Sequence, residues 1–203
     1  MIVTAAVEGP SDEAALRQIA GTLGVELGEV YGRNGKIQVV RSLGGYNYAA
    51  KHEPWIVLID LDNEDCVVSA LNTWLPEPSG LMCLRVAVRE LEAWLLADSE
   101  RFSQYFSVSL ALLPTAPDDL PDPKLALLNL VRRSRRSSIK FDMLPDPKLG
   151  QSIGPAYTAR IIEFINAEDG WRAEIAAQRS PSLRRAIAGI EQLRDRVLAR
   201  EIY

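Results

Sequence analysis

A chain of 203 residues with 47% hydrophobic residues carries enough apolar material for a substantial core, and its net charge of −4 does not advertise a surface built for polyanions. The longest apolar runs fall far below the roughly 20 residues needed to span a bilayer, and the start of the chain lacks a signal peptide's basic segment and small-residue cleavage site. A soluble, cytoplasmic protein is therefore expected, and its two cysteines, Cys66 and Cys83, in no metal-ligand spacing, read as packed free thiols. The single histidine, His52, excludes sites that need several imidazoles, so any metal would be held mainly by oxygen.

In chain order, Met1 to Val7 is a short apolar run of strand character that ends at Glu8-Gly9. Ser11 to Leu23 reads as the first helix, with Ser11 as N-cap, Asp12 and Glu13 in the first turn, and Ala15, Leu16, Ile19 and Ala20 as the apolar stripe. Val30-Tyr31 and Ile37 to Val40 flank Arg33-Asn34-Gly35-Lys36, and Asn-Gly in that setting predicts a hairpin. Helical character resumes over about Tyr46 to Lys51. Pro54 opens a strand that runs to Asp60, a helix is predicted over about Glu64 to Leu75, and Leu81 to Val88 reads as a buried strand. Glu90 to Ala97 is helical, with Leu91, Trp94 and Leu95 on one apolar face.

Strand and helix alternate to this point, which predicts an α/β fold with a mostly parallel sheet covered on both faces. After about residue 98 the texture changes. Pro114, Pro117, Pro121 and Pro123 punctuate a loop, Lys124 to Val131 looks helical, and Pro145 and Pro147 interrupt again. Ala156 to Ile165 and Pro181 to Arg200 look like amphipathic helices, the last with Ile187, Ile190, Leu193 and Leu198 in helical spacing. The expected organisation is an α/β core over 1–100 and a helical extension over 101–203 packed on it.

The chemistry concentrates at two strand ends. Glu8 closes the first strand and Asp60-Leu61-Asp62 closes a later one, and in an α/β sheet the C-terminal strand ends face the crevice where ligands bind. If the extended geometry continues through Leu61, Asp60 and Asp62 project to the same side. With Glu8 they make three carboxylates, a donor set that suits one or two magnesium ions. Taken singly, Glu8 is equally a solvated strand end and Asp12 a first-turn helix carboxylate.

An apolar strand ending in Glu8-Gly9, with Asp12 three residues beyond the glycine, followed by a strand ending in Asp60-Leu61-Asp62, resembles the TOPRIM domain. That domain is shared by type IA and type II topoisomerases, bacterial primases, small ribosomal-RNA maturation nucleases and nucleases of the OLD (overcoming lysogenization defect) family. The chain is also similar to a family of small bacterial TOPRIM-like proteins through Arg89-Glu90-Leu91-Glu92-Ala93-Trp94-Leu95-Leu96-Ala97-Asp98 and Ile153-Gly154-Pro155-Ala156-Tyr157. The TOPRIM-like part covers roughly residues 1 to 100.

The resemblance implies a TOPRIM-like Rossmannoid sheet. Glu8 would serve in metal binding or general acid–base work, Gly9 would permit a tight turn, Asp60 and Asp62 would be metal ligands, and Asp12 an additional ligand. Glu90 and Glu92 would complete a second metal position, although on a helix residues two apart diverge by about 200° and are not expected both to face it. Nucleases of the OLD type also use a downstream lysine to stabilise charge on the scissile phosphate. Here the candidates are Lys124 and Lys148, each in Asp-Pro-Lys, and Lys140.

Arg132, Arg133, Arg135, Arg136 and Lys140 form the one concentrated basic segment, able to neutralise several phosphates or simply to solvate a helix face. Lys36, at the expected hairpin tip, could touch backbone phosphates.

Other acidic-site families fit less well. A receiver domain needs paired acids where Glu8 is followed by glycine, a haloacid-dehalogenase-like phosphatase carries its Asp-x-Asp in the first strand, and an EF-hand needs glycine where Asp65 stands. Gly32 to Lys36 is too short for a Walker A loop. Topoisomerase and full primase activities need large further domains.

The expected function is a Mg2+- or Mn2+-dependent nuclease acting on DNA or RNA. The resemblance adds a separate ABC-type ATPase partner and a role in defence against phage or other foreign DNA. The alternative is a non-catalytic module that binds nucleic acid or that partner, and ribosomal-RNA processing is a third reading. Whether the chain forms a homodimer is left open.

Overall fold

The computed structural model describes residues 1–146, 148 and 150–201, the side chain of Glu201 excepted, so Pro147 of the second Asp-Pro-Lys motif lies outside the described residues. The chain runs β1 (Ile2–Val7), α1 (Pro10–Thr22), β2 (Glu26–Gly32), α2 (Lys36–Ala49), β3 (Trp55–Asp60), α3 (Val67–Trp74), β4 (Met82–Ala87), α4 (Leu91–Ala97), α5 (Ser99–Phe106), α6 (Pro123–Val131), α7 (Ser137–Met143), α8 (Tyr157–Asn166), α9 (Ala173–Ala176) and α10 (Pro181–Glu201). No helix among the described residues is long and apolar enough to cross a membrane.

Two compact units result, one of Met1–Val88 with the chain from Ser182 onward, the other of Arg89–Pro181. The change of texture near residue 98 suggested a boundary at 100; the units instead divide at Val88, and the last helix belongs with the strands. The physical reason lies in α4, all seven residues of which are buried, so it is the centre of a helical unit rather than a cover for a sheet.

In the first unit the four strands are all parallel, in the order β2-β1-β3-β4. The α/β expectation is met: a parallel sheet flanked by helices. Parallel pairing requires a crossover after each strand, and α1, α2 and α3 provide them. Val39 and Leu43 of α2 pack with Ala6, Val57, Ile59 and Leu84 on one face of the sheet. α10 covers the other, where Gly189 abuts the Arg85 guanidinium so closely that a Cβ there would lie 1.8 Å from Nε. Arg194 ties α10 to the end of α1 through the Leu23 carbonyl at 3.3 Å. Along α10 the buried stripe is Leu183, Ala186, Ile190 and Leu193, whereas Leu198 is exposed.

The second unit is built around α4, against which α5, α6, α9 and the 3-10 turn Pro117–Asp119 pack. Trp94, fully buried, accepts a hydrogen bond on its carbonyl from the Trp171 indole at 3.0 Å. Phe102, Phe106 and Phe164 form a ring cluster with centroids 4.4 to 5.9 Å apart. Asp98, 1% exposed, caps α5 and takes a bidentate pair from Arg172 at 2.7 and 2.9 Å, with the Arg172 backbone N–H donating as well.

Several local expectations are corrected. No hairpin forms at Asn34-Gly35: α2 begins at Lys36, and Val39 is buried with Leu43 while Ile37 is exposed, a split that a helix makes and a strand, which would put Ile37 and Val39 on one face, does not. The N-cap of α1 is Gly9 with Pro10 at the first helical position, not Ser11. Gly9 has φ −154°, an extended conformation open to any residue, so it is not there for a tight turn. Cys83 is buried, but Cys66 is exposed and caps α3, accepting from the Ser69 N–H at 3.3 Å.

Candidate functional site

The first unit gathers Glu8, Asp12, Asp60, Asp62 and Lys36 at the C-terminal ends of β1 and β3. Those strands are hydrogen-bonded neighbours, which brings Glu8, just past β1, to the end of β3. Its Oε1 accepts the Asp60 backbone N–H at 2.8 Å, while Oε2 takes no donor among the described residues.

The loop between β2 and α2 holds this strand end in place. The Arg33 N–H donates to the Val7 carbonyl at 2.8 Å and the Gly35 N–H to the Glu8 carbonyl at 3.0 Å. Three left-handed positions within four residues, Gly32 (φ 86°), Arg33 (φ 65°) and Gly35 (φ 84°), aim those N–H groups inward. The segment expected to be a hairpin tip is thus a clamp on the site.

Lys36 leaves the clamp pointing at the same place, its ammonium reaching the Leu61 carbonyl at 2.9 Å and Asp62 Oδ2 at 3.2 Å. It also stands 4.9 Å from the centre of the Trp74 ring. Lys36, expected at a hairpin tip, is a neighbour of the carboxylates. Sequence reasoning missed this because the distance from Lys36 to Asp62 in the chain is closed only by the parallel crossover.

Asp62 is reached differently from expectation. The strand ends at Asp60, Leu61 turns inward and is 3% exposed, and Asp62 adopts φ 51°. The extended geometry does not continue through Leu61, so Asp62 comes back to the site by a left-handed turn that aspartate tolerates better than most side chains.

The electrostatics are those of crowded carboxylates. Burial, with Asp12 and Asp62 adding, pushes the Glu8 carboxyl from about 4.5 up to about 7, against the Asp60 N–H and Lys36. Asp12, in the first turn of α1, is 7% exposed, buried toward Glu8 rather than solvated. The donor set is all oxygen and short of positive charge, which fits a hard divalent cation. Among the described residues, no three carboxylate, imidazole or thiolate groups already stand in metal-ligating geometry.

The second unit holds the other predicted acids. Glu90 is the N-cap of α4, in extended conformation, so the helical divergence expected for Glu90 and Glu92 does not apply. Both meet Lys124: its ammonium lies 3.0 Å from Glu90 Oε1 and 3.6 Å from Glu92 Oε1, and its backbone N–H donates to Glu90 Oε2 at 3.0 Å. The Tyr157 hydroxyl donates to Glu92 Oε1 at 2.8 Å. Burial raises the Glu92 carboxyl, opposed by Lys124, and burial beside Glu92 keeps the Tyr157 hydroxyl protonated.

Tyr157 closes the motif that begins at Ile153. Gly154 is required there because a Cβ would lie 2.5 Å from the Asp142 carbonyl oxygen. Lys148 is exposed, its N–H bonded to Asp146 Oδ1 at 2.9 Å, and Lys140 sits half-buried on α7.

Arg132, Arg133, Arg135 and Arg136 are exposed, and among the described residues none takes a carboxylate partner. The Arg136 guanidinium donates to the Tyr105 carbonyl at 3.4 Å, the Arg135 backbone N–H to that of Ser107 at 3.0 Å, and Arg132 pairs with the Asn129 amide oxygen. Compared with protein-family models, curated proteins and solved structures, the chain matches none.

Proposed function

We propose that the protein is a metal-dependent nuclease hydrolysing phosphodiester bonds in DNA or RNA. The observation that carries the reading is the setting of Glu8, whose Oε1 accepts the Asp60 backbone N–H at 2.8 Å at the end of the neighbouring strand while the Asp12 and Asp62 carboxylates stand close enough to raise its pKa. Glu8, Asp12, Asp60 and Asp62 would hold Mg2+ or Mn2+, which when bound supplies Lewis-acid charge to a phosphate and its attacking water.

The chain's own residues do the rest. Glu8, poised near neutrality, can accept the proton of the attacking water at Oε2. Lys36 supplies a fixed positive charge for the phosphate oxygens as they gain charge. Glu90 and Glu92, in the second unit, are kept as candidate ligands of a metal position of their own, and of the three candidate lysines Lys124 is the one beside them, its ammonium within 3.6 Å of both acids where it would compete with a cation. The exposed guanidinium groups of Arg132, Arg133, Arg135 and Arg136, none with a carboxylate partner among the described residues, support contact with a phosphate backbone. The family resemblance alone supplies the separate ABC-type ATPase partner and the role in defence against foreign DNA.

One observation favours the non-catalytic alternative. The ammonium of Lys36 lies 3.2 Å from Asp62, where it supplies the charge a cation would otherwise bring. Supercoiled plasmid, linear DNA and structured RNA incubated with the protein in Mg2+ or Mn2+ decide between the two. Cleavage abolished by chelator and by the Asp60→Ala/Asp62→Ala variant supports the nuclease; binding that survives both, with no cleavage by the wild type even with its ATPase partner, supports the module.

A further inference from the structure

Beside the carboxylate cluster, within the first unit, lies an open groove of about 540 Å3. Positions 36, 37, 40 and 41 of α2 share one face at four-residue spacing, roughly a third of a turn from the inward Val39 and Leu43, and that face forms one wall. Ile37 is 68% exposed, an unusual position for isoleucine on a helix that already has a buried stripe. With Val40 and the half-buried Trp74 it makes an apolar floor. Lys36 and the exposed Arg41 flank the floor, and Asn63 offers a donor and an acceptor at the rim.

A floor of this kind beside Arg41, with the Lys36–Asp62 pair and Glu64 also lining the groove, takes a nucleobase with a phosphate held at Arg41. The Lys36 ammonium lies over the Trp74 ring, 4.9 Å from its centre, so that face of the indole is taken and the apolar surface open to a base is chiefly that of the exposed Ile37. In a duplex the base faces are covered by their neighbours and only edges and phosphates are presented, which would leave the exposed Ile37 without a partner. Asp62 lines the same groove, so a strand lying in it passes directly to the carboxylates.

We infer that this groove seats an unpaired nucleotide, so that the substrate is single-stranded nucleic acid rather than duplex. The inference rests on the nuclease reading for its meaning but is tested without cleavage. Binding of a fluorescein-labelled 12-residue oligothymidylate, of a duplex of equal length and of thymidine monophosphate is measured by anisotropy and competition in chelator.

The single strand should bind at least tenfold tighter than the duplex and than the mononucleotide. Arg41→Ala and Ile37→Ala, both at exposed positions, should each weaken single-strand binding at least threefold. Arg41→Ala should also reduce the slope of log affinity against log salt by about 0.7, the value for one phosphate on a single strand. Duplex bound as tightly as single strand, mononucleotide bound as tightly as the oligomer, or unchanged binding by both variants would each overturn the assignment. Repeating the assay with Mg2+ separates the two ideas: single strands bound in the groove but never cut sink the nuclease and leave the groove, whereas cutting unaffected by the Arg41→Ala/Ile37→Ala double variant sinks the groove and leaves the nuclease.

Discussion

Lys36 and Asp62 meet at 3.2 Å, and through that contact the clamp loop, the end of β3 and the carboxylate cluster share one charge system. Substituting Lys36→Met removes the resident positive charge. Mn2+ affinity, read by electron paramagnetic resonance, is expected to rise severalfold, because the carboxylates lose a competitor for the cation. Cleavage should fall at least tenfold with it, because a fixed charge for the phosphate is gone. Tighter metal binding with undiminished cleavage would remove Lys36 from the chemistry.

Glu8 governs a pH dependence of stability. It keeps its proton up to about pH 7 in the folded chain against about 4.5 when unfolded, so between those values the folded state binds more protons. The stability it contributes is present below the lower value and lost as pH rises through the upper one. In chelator, the urea midpoint of the wild type should therefore decline relative to Glu8→Gln between pH 4.5 and 7.5. Magnesium should restore the wild type alone at pH 7.5, because a cation favours the ionised carboxylate.

Gly32 is constrained by its φ of 86° and by the Val7 carbonyl oxygen, 2.3 Å from where a Cβ would stand. Gly32→Ala should destabilise by about 2 kcal/mol, as for other enforced backbone strain. It should also displace the strand end that carries Glu8, so cleavage should drop further than stability. Equal stability of variant and wild type in urea would contradict the packing described.

In the second unit, Asp98→Ala leaves Arg172 without its principal partner and removes the cap of α5. Breaking a pair with one buried member costs about 3 kcal/mol or more, and thermal unfolding should show it as the largest loss among single charge removals in that unit. Arg172→Ala, which strands a carboxylate that is 1% exposed, should be of similar size.

The strands and their acidic ends were legible in the sequence because a buried parallel strand is a continuous apolar run and its last polar residue marks the edge of the sheet. Periodicity likewise disclosed α1, α6, α8 and α10, whose buried faces repeat at helical spacing. The short helices α5 and α7 escaped, since unlike the similarly short α4, all of whose residues are buried, each buries only two side chains and so carries too little apolar repeat to stand out.

What the tertiary structure alone decided concerns partners distant in the chain. Asn34-Gly35 promises a hairpin on local grounds, and only the parallel pairing of β1 with β2 turns it into a clamp on Glu8. Glu90 and Glu92 diverge on a helical wheel, yet converge on Lys124 because Glu90 caps the helix instead of joining it. The amino-acid sequence by itself determined which residues could be buried in regular elements, a matter of local pattern and apolar area. Which charges face one another was settled by strand order and helix packing, whose contacts join residues that no local pattern relates.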